Sequence, residues 1–451
     1  MTEKIYLPDT VKKLIERLEK NGHEAYAAGG CVRDSLLGKT PHDYDITTSA
    51  LPDEVESLFS DMTVIPTGIR HGTVTVICDK IPYEITTYRT ESKYSDGRRP
   101  DCVGFTKSLR DDAARRDFTI NAMAYNDNSG LVDFFGGKTD LKNGIIRCVG
   151  EPDARLTEDA LRILRAIRFE SVLGYRSEKA TCAALHRNLA FLKNVSAERT
   201  AVELKKLICG RDVRRVILEY ADILGAVIPE ILPMRGFDQK NYHHIYDVLE
   251  HTAYATEAVK AVPELRLAAF FHDIGKPAAF TVDENGTGHF KGHPEISALM
   301  TDRILRRLKF SNDERSLIVT LVRYHDRIIE PNEKAVRRAI NKLSPDIFFM
   351  LLELKRADNL AQAPEFRDRQ KLYNDTEKIA KDIISRGDCI NKKTLAINGN
   401  DLIDAGITEG KQIGKILDVL FEKVLEGSLE NKKEFLLKAA KDPDIITVIR
   451  P

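Results

Sequence analysis

The sequence predicts an α+β protein, with a small mixed sheet in an N-terminal domain and helices through nearly all of the remaining chain. Before residue 150, alternating apolar runs typical of half-buried strands occur at GTVTVIC (72–78), YEITTY (83–88) and GIIRCVG (144–150). After Pro152 the apolar residues recur at helical spacing instead, starting with the run RLTEDALRILRAIRFE. These two patterns separate a mixed N-terminal part from a helical remainder.

The length and the turn-forming stretches predict several domains. A chain of 451 residues is long enough for roughly three or four of them. Segments rich in Gly, Pro, Asp or Asn, which favour joints, occur near 210–212, 229–236 and 388–400. We therefore expect a mixed head, a helical neck, a helical body and a helical tail. Their expected bounds are 1–150, 151–235, 236–365 and 366–451.

The bulk composition limits the possible partners and surroundings. Lys and Arg number 69 and Asp and Glu also 69, so any nucleic-acid site must be a local patch. The seven cysteines show no CxxC pair and no zinc spacing, which fits reduced thiols in the cytosol. A charged amphipathic helix is expected at the N-terminus, and no apolar run reaches the roughly 18 residues of a membrane span. We expect a cytoplasmic protein with no membrane partner.

The most informative stretch is AGGCVRDSLLGKTPHDYDITT, residues 28–48. Gly29 and Gly30 open a short apolar helix, and backbone N–H groups at such a helix start favour a phosphate. Asp43 and Asp45 follow in a β-like run, where their spacing of two puts both carboxylates on one face. Such oxygen ligands suit hard divalent cations such as Mg²⁺. The parts are those of two-metal nucleotidyl transfer, although a turn glycine pair beside surface aspartates is the simpler alternative.

A second cluster, Arg115, Arg116 and Asp117, opens the run RRDFTINAMAYN. Two guanidiniums can grip a triphosphate bidentately, while Asp117 accepts a hydrogen bond from a ribose hydroxyl. The alternative is a local salt bridge ahead of a buried helix. Glu84, in a predicted strand, is either a third metal carboxylate or a solvated surface residue.

A third cluster, Asp159 and Arg162 in the run EDALR, suggests recognition of bases. Residues three apart on a helix share a face. A carboxylate beside a guanidinium complements the amino donor and ring acceptor that cytosine and adenine present, and opposes the reversed order of uracil and guanine. Arg165, one turn on, is an additional donor. Such a pair would select C and A without a nucleic-acid template, whereas the simpler alternative is an exposed ion pair.

Together these motifs resemble those of the class II tRNA nucleotidyltransferases, the CCA-adding enzymes, with their bacterial poly(A) polymerase relatives. GGCVRD…DYD is similar to the family's catalytic motif, RRDFTINAMAYN to its ribose motif and LVDFFGGKTDL to its hinge motif. EDALR is similar to the amino-acid template for bases, and AERTAVELKKLI to the helix that supports it. All five occur in family order over residues 25–210.

The resemblance implies a head built on a five-stranded nucleotidyltransferase sheet, which catalyses transfer, a neck that recognises the base and a tail that binds tRNA. It implies template-independent addition of CCA to the 3′ end of tRNA from CTP and ATP, with Mg²⁺ held by Asp43 and Asp45. The residues that it assigns to the triphosphate, the sugar and the base are Gly29, Gly30, Arg33, Arg115, Arg116, Asp117, Asp159, Arg162 and Arg165.

Two related activities are alternatives. The polar segment 88–105 is similar to the flexible loop of family members that add the terminal A, which favours complete CCA addition over CC addition. The A-adding half of a split CC/A pair and a poly(A) polymerase remain open. A poly(A) polymerase is expected to carry a long basic C-terminal arm, and this sequence ends in IITVIRP.

A second metal signature occurs within residues 236–365. Its order of residues resembles the two-metal version of the HD phosphohydrolase superfamily, and imidazole with carboxylate suits Mn, Ni, Co, Fe or Mg. A metal-dependent phosphohydrolase is therefore the alternative function of a different class, and a purely structural role for these residues is the simpler reading. The candidate ligands are His251, His272, Asp273, His293, His325, Asp326 and Asp358.

Local basic stripes are candidates for tRNA contact. One covers residues 193–215 and another residues 303–309, although many basic helices are simply solvated. The glycine-bearing run LAINGNDLIDAGITEGKQIGKILD resembles the family tail that contacts the tRNA elbow. The sequence does not indicate which stripe binds RNA or whether the chain forms oligomers.

Overall fold

The computed structural model describes residues 5–91, 103–243, 245–407, 410–443 and 445. Residues 92–102, the larger part of the segment expected to form a flexible loop, lie outside these ranges. The chain forms two compact units. The first comprises Met1–Leu232 with Arg307–Phe310, and the second comprises Pro233–Arg306 with Ser311–Pro451.

The first unit mixes strands and helices. Its strands are β1 Ala25–Ala28, β2 Ile46–Thr48, β3 Thr63–Gly68, β4 Thr73–Cys78, β5 Ile81–Thr87, β6 Arg89–Glu91, β7 Val103–Phe105, β8 Met123–Asn126, β9 Gly130–Asp133, β10 Ile145–Ile146 and β11 Arg176–Ser177. Its α-helices are α1 Asp9–Lys20, α2 Gly30–Leu36, α3 Pro52–Leu58, α4 Leu109–Ala114, α5 Gly137–Asn143, α6 Pro152–Glu158, α7 Leu161–Leu173, α8 Lys179–Asn188, α9 Ala197–Ile208, α10 Val213–Glu219 and α11 Ala221–Val227.

The main sheet has the strand order β3-β4-β5-β2-β1-β8-β9. β1 is antiparallel to both β2 and β8, whereas β2 is parallel to β5, so the sheet is mixed as predicted. It has seven strands instead of the five that the resemblance implied, with the β8–β9 hairpin forming one edge. The predicted strand at 144–150 shortens to β10, which pairs with β11 outside the main sheet.

The core of this unit follows the apolar patterns of the sequence. Val74 and Val76 alternate along β4 and are fully buried, as is Ile85 of β5. The apolar face of α1 is buried through Val11, Leu14, Ile15 and Leu18, as its helical spacing predicts. The ring of Phe118 packs edge-on against that of Phe169 in α7, with centroids 5.8 Å apart. This contact joins the sheet to the first helices of the predicted neck.

The second unit is helical apart from one short hairpin. Its α-helices are α12 Val248–Ala258, α13 Pro263–Phe271, α14 Lys276–Ala279, α15 His293–Arg307, α16 Asn312–Tyr324, α17 Glu333–Leu343, α18 Pro345–Leu360, α19 Gln370–Ser385, α20 Gly399–Asp404, α21 Gly410–Leu425 and α22 Lys433–Ala440. The hairpin joins β12 Thr281–Val282 to β13 Gly288–His289. A separate apolar cluster, which includes Leu402, Leu420 and Leu436, holds the last helices together.

The mixed head followed by helices confirms the predicted fold class. Across the described residues, no helix combines the length and the apolar character that crossing a membrane requires.

Candidate active site

A cleft of about 420 Å³ in the first unit collects every head and neck residue that the sequence predicts for the site. The predicted residues on its walls are Gly29, Gly30, Arg33, Asp43, Asp45, Arg115, Arg116, Asp117, Asp159, Arg162 and Arg165. The cleft is also lined by Asn121, Leu161, Arg168, Phe169 and Arg199. Residues more than 150 positions apart in the sequence therefore face one volume.

The turn between β1 and α2 requires glycine. Gly29 has φ of +80°, a backbone conformation that other residues rarely adopt. A Cβ placed on Gly29 would lie 2.7 Å from Nη1 of Arg116, so this glycine also makes room for that guanidinium. α2 begins at Gly30, as predicted, and its first turn faces the cleft.

Asp43 and Asp45 lie in an extended segment directly before β2 rather than within a strand. The parallel pairing of β2 with β5 puts Ile46 opposite Ile85, which brings Asp45 near Glu84. Desolvation by the surrounding protein, then the charges of Asp43 and Glu84, raise the pKa of Asp45 to about 6, although its side chain keeps solvent access. A carboxyl crowded by like charges, with oxygen donors only, fits a site for Mg²⁺.

A buried carboxylate that the sequence analysis missed positions the two arginines. Asp112 of α4 is fully buried, and its oxygens lie 2.8 Å from Nη2 of Arg115 and 3.5 Å from Nη2 of Arg116. Burial alone would raise the pKa of Asp112, but the two guanidiniums outweigh it and lower the pKa. Thr47 of β2 donates a further hydrogen bond of 3.1 Å to Asp112. The i, i+3 and i, i+4 spacing in DDAARR was the available signal.

Asp117 is engaged by protein groups on both of its oxygens. Nη2 of Arg165 lies 2.6 Å from one oxygen, while the other accepts hydrogen bonds from the Asn121 amide at 3.1 Å and from the Phe118 backbone N–H at 2.7 Å. Burial opposes ionisation, but Arg165 and Asn121 outweigh it and hold the pKa of Asp117 at about 2. Asn121 also accepts from Arg33 at 2.7 Å. A ribose hydroxyl at Asp117 would join an existing network.

Asp159 and Arg162 do not share a helix, contrary to the expectation. α6 ends at Glu158, and Asp159 has extended backbone angles, φ −140° and ψ 102°. Its side chain accepts a hydrogen bond of 3.1 Å from the backbone N–H of Leu161, the first residue of α7. Asp is favoured at such helix starts, which the periodicity analysis overlooked. The chain breaks into two helices at the predicted template.

The two template residues also pair with other groups instead of with each other. Asp159 binds Arg199 of α9 through both oxygens, at 3.2 and 2.6 Å. Arg162 is buried, and its Nη1 lies 2.7 Å from a carboxylate oxygen of Glu158. It also donates to the backbone carbonyls of Arg155 at 2.9 Å and Arg115 at 3.0 Å. A base using both groups has to compete with Arg199 and with Glu158.

Two further arginines of the cleft wall, Arg168 and Arg199, were not predicted as site residues. Arg168 lies over the ring of Phe169, with its guanidinium carbon 3.8 Å from the centroid, and pairs with Glu203 at 2.6 Å. Arg199 and Glu203 both come from AERTAVELKKLI, the run expected only to support the template. The helical spacing of Arg199 and Glu203 puts both on one face of α9.

A second cluster of candidate ligands lies in the second unit. Ligand atoms of His251, His272 and Asp273 lie within 4.8 Å of one another, and so do those of Asp273, His293 and His325. Asp273 therefore belongs to both groups, and all five side chains are buried. In the part of the chain that the structure describes, these are the groups of three or more such ligands that converge.

The histidines of this cluster are held in one orientation. Their Nδ1 atoms face backbone carbonyl oxygens, of Ala361 at 3.2 Å for His251, Ala269 at 2.7 Å for His272, Phe290 at 2.9 Å for His293 and Val322 at 2.6 Å for His325. Nδ1–H donation to a carbonyl leaves Nε2 unprotonated and available to a metal. In this tautomer the Nε2 lone pairs of His293 and His325 face each other at 3.1 Å, an arrangement that a cation bound between them would stabilise.

Two buried polar atoms at the centre of the cluster, Nε2 of His272 and Oδ2 of Asp273, lie 3.2 Å apart. Oδ2 of Asp273 also lies 2.7 Å from Nζ of Lys276, so this carboxylate already has one cationic neighbour. The shared orientation of the imidazoles and the convergence of ligands around this carboxylate together fit a divalent cation.

Of the two remaining predicted ligands, Asp358 lies against the cluster and Asp326 lies outside it. Asp358 of α18 lies with Oδ1 2.9 Å from Nε2 of His251 and 3.6 Å from Nε2 of His272. Asp326 is exposed and lies outside both groups, because it follows the C-terminus of α16 one residue after His325. Lys276, which was missed although it lies in HDIGKP, places Nζ 2.7 Å from Asp273.

Known families and relatives resemble this chain over most of its length. The Poly A polymerase head domain matches residues 25–147, an RNA- and SrmB-binding site of polymerase A matches residues 174–234, and tRNA nucleotidyltransferase domain 2 matches residues 295–440. The chain is 34% identical to the CCA-adding enzyme of Ligilactobacillus salivarius (strain UCC118), covering 96% of this chain and 97% of that protein. It is also 34% identical to the CCA-adding enzyme of Staphylococcus saprophyticus, covering 98% and 99%.

Solved structures show the same architecture. The crystal structure of the Bacillus stearothermophilus CCA-adding enzyme in complex with CTP is 29% identical, with a TM-score of 0.71 over 98% of this chain and 99% of that one. The Thermotoga maritima CCA-adding enzyme complexed with tRNA shares the fold at 21% identity and a TM-score of 0.55, over 98% and 95%. With sequence identity above 30% over nearly the full length of both proteins, the chain belongs to the family of CCA-adding enzymes.

Proposed function

We propose that this protein adds CCA to the 3′ end of tRNA from CTP and ATP, without a nucleic-acid template. The observation that carries the proposal is the single cleft in which the paired carboxylates, the arginines and the template residues all meet. Relatives named CCA-adding enzymes, one of them solved with CTP and one with tRNA, support the same substrates.

Asp43 and Asp45 would hold Mg²⁺, because they supply the oxygen ligands that this ion prefers. The ions would lower the pKa of the attacking hydroxyl and neutralise charge on the leaving pyrophosphate. Arg115 and Arg116, positioned by Asp112 on the wall of the cleft, would bind the triphosphate through their guanidinium groups. Charged side chains of the head would thereby hold the triphosphate of the nucleotide, and residues of the predicted neck would contact its base.

Base selection would use Asp159 and Arg162, which meet the incoming base in exchange for their present partners. Arg162 is held by Glu158 and by two backbone carbonyls, so its guanidinium would keep its place if Glu158 were displaced, whereas Asp159 is held chiefly by the partly exposed Arg199. The guanidinium of Arg162 is thus the fixed half of the template and the carboxylate of Asp159 the adjustable half. A base with the uracil pattern would leave both groups unpaired.

The division of labour along the chain is part of this proposal. Residues 1–150 would catalyse transfer, 151–235 recognise the base, 236–365 bind metal and 366–451 bind tRNA. We also propose that the protein works in the cytoplasm, where tRNA and nucleoside triphosphates are available and where its thiols would stay reduced.

The test of the catalytic assignment is the variant Asp43→Ala/Asp45→Ala, assayed for extension of tRNA with CTP, ATP and Mg²⁺. We expect extension to be abolished with the melting temperature unchanged or raised, because removing crowded like charges does not cost stability. The matched control is Asp53→Ala/Asp127→Ala, which removes two carboxylates of the same unit outside the cleft. If the Asp43/Asp45 variant still extends tRNA, the assigned centre is wrong.

A second candidate function, metal-dependent phosphohydrolysis, is favoured by the cluster around Asp273. A cavity of about 90 Å³ reaches His325 and Asp358 and is also lined by Arg327, Lys355 and Arg369. Cationic side chains beside convergent metal ligands suit a phosphoryl group, and Mn, Ni, Co, Fe or Mg would be the metal. The cation would polarise the phosphoester, while the lysine and the arginines bind its oxygens.

Hydrolysis of para-nitrophenyl phosphate in the presence of each metal tests this second function. We expect His272→Ala/His325→Ala to lose hydrolysis and to keep tRNA extension, with the reverse pattern in Asp43→Ala/Asp45→Ala. His289→Ala, an exposed histidine outside the cluster, is the control. If hydrolysis is absent with every metal, the cluster has a structural role only.

A further inference from the structure

A cavity separate from the cleft of the first unit lies in the second unit, where the end of α16 meets α17 and α18, and it shares Arg327, Ile328 and Ile329 with the smaller cavity beside His325. Its volume is about 300 Å³, in the range of small-molecule sites. Its wall is apolar at Ile329, Ala335, Leu343 and Leu351, and Tyr324 adds an aromatic ring. No residue of the cleft in the first unit takes part in it.

The rim of this cavity is cationic. Arg327, Lys334, Arg338 and Lys342 all line it, and none of its described lining residues is acidic. Lys334 and Arg338 are already paired with Glu426, at 3.0 and 2.8 Å. Their charge is therefore largely neutralised, and the attraction for an anion rests on the other two cations.

Arg327 and Lys342 are placed on the aromatic wall. The guanidinium carbon of Arg327 lies 5.9 Å from the centroid of the Tyr324 ring, and Nζ of Lys342 lies 4.9 Å from it. Within the described residues, neither cation has a carboxylate partner. The site thus joins two uncompensated positive charges to an aromatic and aliphatic surface, so its ligand must carry an anion next to an apolar, planar group.

We propose that this cavity binds a nucleotide, with the base against Tyr324 and the aliphatic wall and the phosphate on Arg327 and Lys342. Stacking on aromatic rings accepts any base, and cations beside the ring hold the phosphate. The site is separate from the nucleotide cleft of the head, so the proposal stands independently of the transfer function, whereas it shares Arg327 with the cavity considered for hydrolysis. Its ligand is either a free nucleotide or the phosphorylated end of an RNA, which present the same chemistry.

Photolabelling of the full-length protein with 8-azido-AMP, followed by peptide mapping, tests this proposal. We expect label within residues 324–343 in addition to peptides of the head. Arg327→Ala/Lys342→Ala should lower labelling of 324–343 by about tenfold or more, since loss of a single charge-assisted contact weakens binding by roughly tenfold. Ala339→Leu, which fills the cavity and keeps its charges, should lower it as well.

The control variant is Lys378→Ala, an exposed lysine of α19 in the same unit that lies outside the cavity. It should label like the wild-type protein, and labelling of the head should be equal in all variants. AMP should compete at concentrations where adenosine or inorganic phosphate alone does not. Stronger competition by a 5′-phosphorylated trinucleotide than by AMP would identify an RNA end as the ligand, and the reverse a free nucleotide.

Two results would overturn the proposal. One is label in head peptides but none in 324–343, which would leave the proposed transfer function intact. The other is labelling of 324–343 that the double variant and Ala339→Leu do not change, or that adenosine competes as well as AMP. Melting temperatures of the variants, whose altered side chains are partly or fully exposed, establish that each remains folded.

Discussion

At the scale of single residues, Gly29 illustrates how one missing side chain shapes the cleft. Gly29→Ala would place a methyl group 2.7 Å from Arg116 and would strain a backbone with φ of +80°. We expect about 1 kcal/mol of lost stability and a large loss of transfer activity, because the triphosphate-binding guanidinium has to move. Chemical denaturation and tRNA extension measure the two effects.

Gly22→Ala is the matched control for this substitution. Gly22 has a similar φ, +87°, but no atom lies within 4 Å of the position of its Cβ. It should lose a comparable amount of stability and keep full activity. Equal activity in the two variants would contradict the steric role assigned to Gly29.

Asp117 carries a stability effect that depends on pH. Its pKa of about 2 lies below the usual value of 3.8, so its ionised form stabilises the folded state above the unfolded pKa. This contribution, roughly 2 kcal/mol, is lost as the pH falls from about 4 towards 2. Asp117→Asn should therefore show lower unfolding free energy at pH 7 and a flatter decline below pH 4, measured by denaturation at each pH. An unchanged slope would refute the coupling to Arg165.

Arg162 tests the template at the same scale. Arg162→Ala should raise incorporation of UTP relative to CTP, because the guanidinium that opposes the uracil ring N–H is gone. The sequence predicts a larger effect on base choice than on folding. The structure adds a stability cost of about 1–3 kcal/mol, since Glu158 and two carbonyls lose a donor. Unchanged discrimination against UTP in single-nucleotide assays would remove Arg162 from the template.

At the scale of elements, the cluster around Asp273 is assembled from five helices. Each brings a side chain to the cluster from within the helix or from a position at or next to its end, and the helices are α12, α13, α15, α16 and α18. A cation that binds these ligands only in the folded state should raise the melting temperature in proportion to the logarithm of its concentration. We expect this rise for Mn²⁺ or Ni²⁺ in the wild-type protein and in His289→Ala. His272→Ala/His325→Ala should show none, and a rise in that variant would place the metal elsewhere.

Short-range sequence patterns predicted those helices that depend only on residues close together in the chain. The apolar face of α1 and the glycine-opened α2 follow from short-range spacing, and both occur as expected. The break at Asp159 was missed because the apolar periodicity continues from α6 into α7, whereas the break itself depends on the Asp159 side chain, which accepts from the backbone N–H of Leu161. The β8–β9 hairpin was not predicted as part of the sheet, because it joins through the pairing of β8 with β1, whose residues lie about 100 positions away in the sequence.

The site shows the same division. Motif order predicted which residues line the cleft, but not that Asp112 holds both arginines or that Arg199 holds Asp159. Those contacts join residues from separate elements, whose meeting depends on the fold. In the second cluster, spacing named the histidines, whereas the orientation of their Nδ1 atoms and the exposure of Asp326 required the structure.

At the scale of the whole molecule, the first unit carries the cleft, the second unit carries the cluster around Asp273 and the cavity beside Tyr324, and the net charge is zero. Binding of a polyanion such as tRNA must then depend on local basic patches, because no overall field attracts it. The proposed function concerns the reaction in the cleft rather than the surface that binds tRNA: one cleft with one template adds C, C and A in turn and then stops.

Extension of a tRNA that ends at its discriminator base, with CTP and ATP together and the products resolved to a single nucleotide, tests this assignment. We expect a product three nucleotides longer that ends in CCA and grows no further. Addition of only one A, and only to a tRNA already ending in CC, would make the protein the A-adding half of a pair. Inertness on both substrates would contradict the assignment of the cleft as a CCA-adding centre.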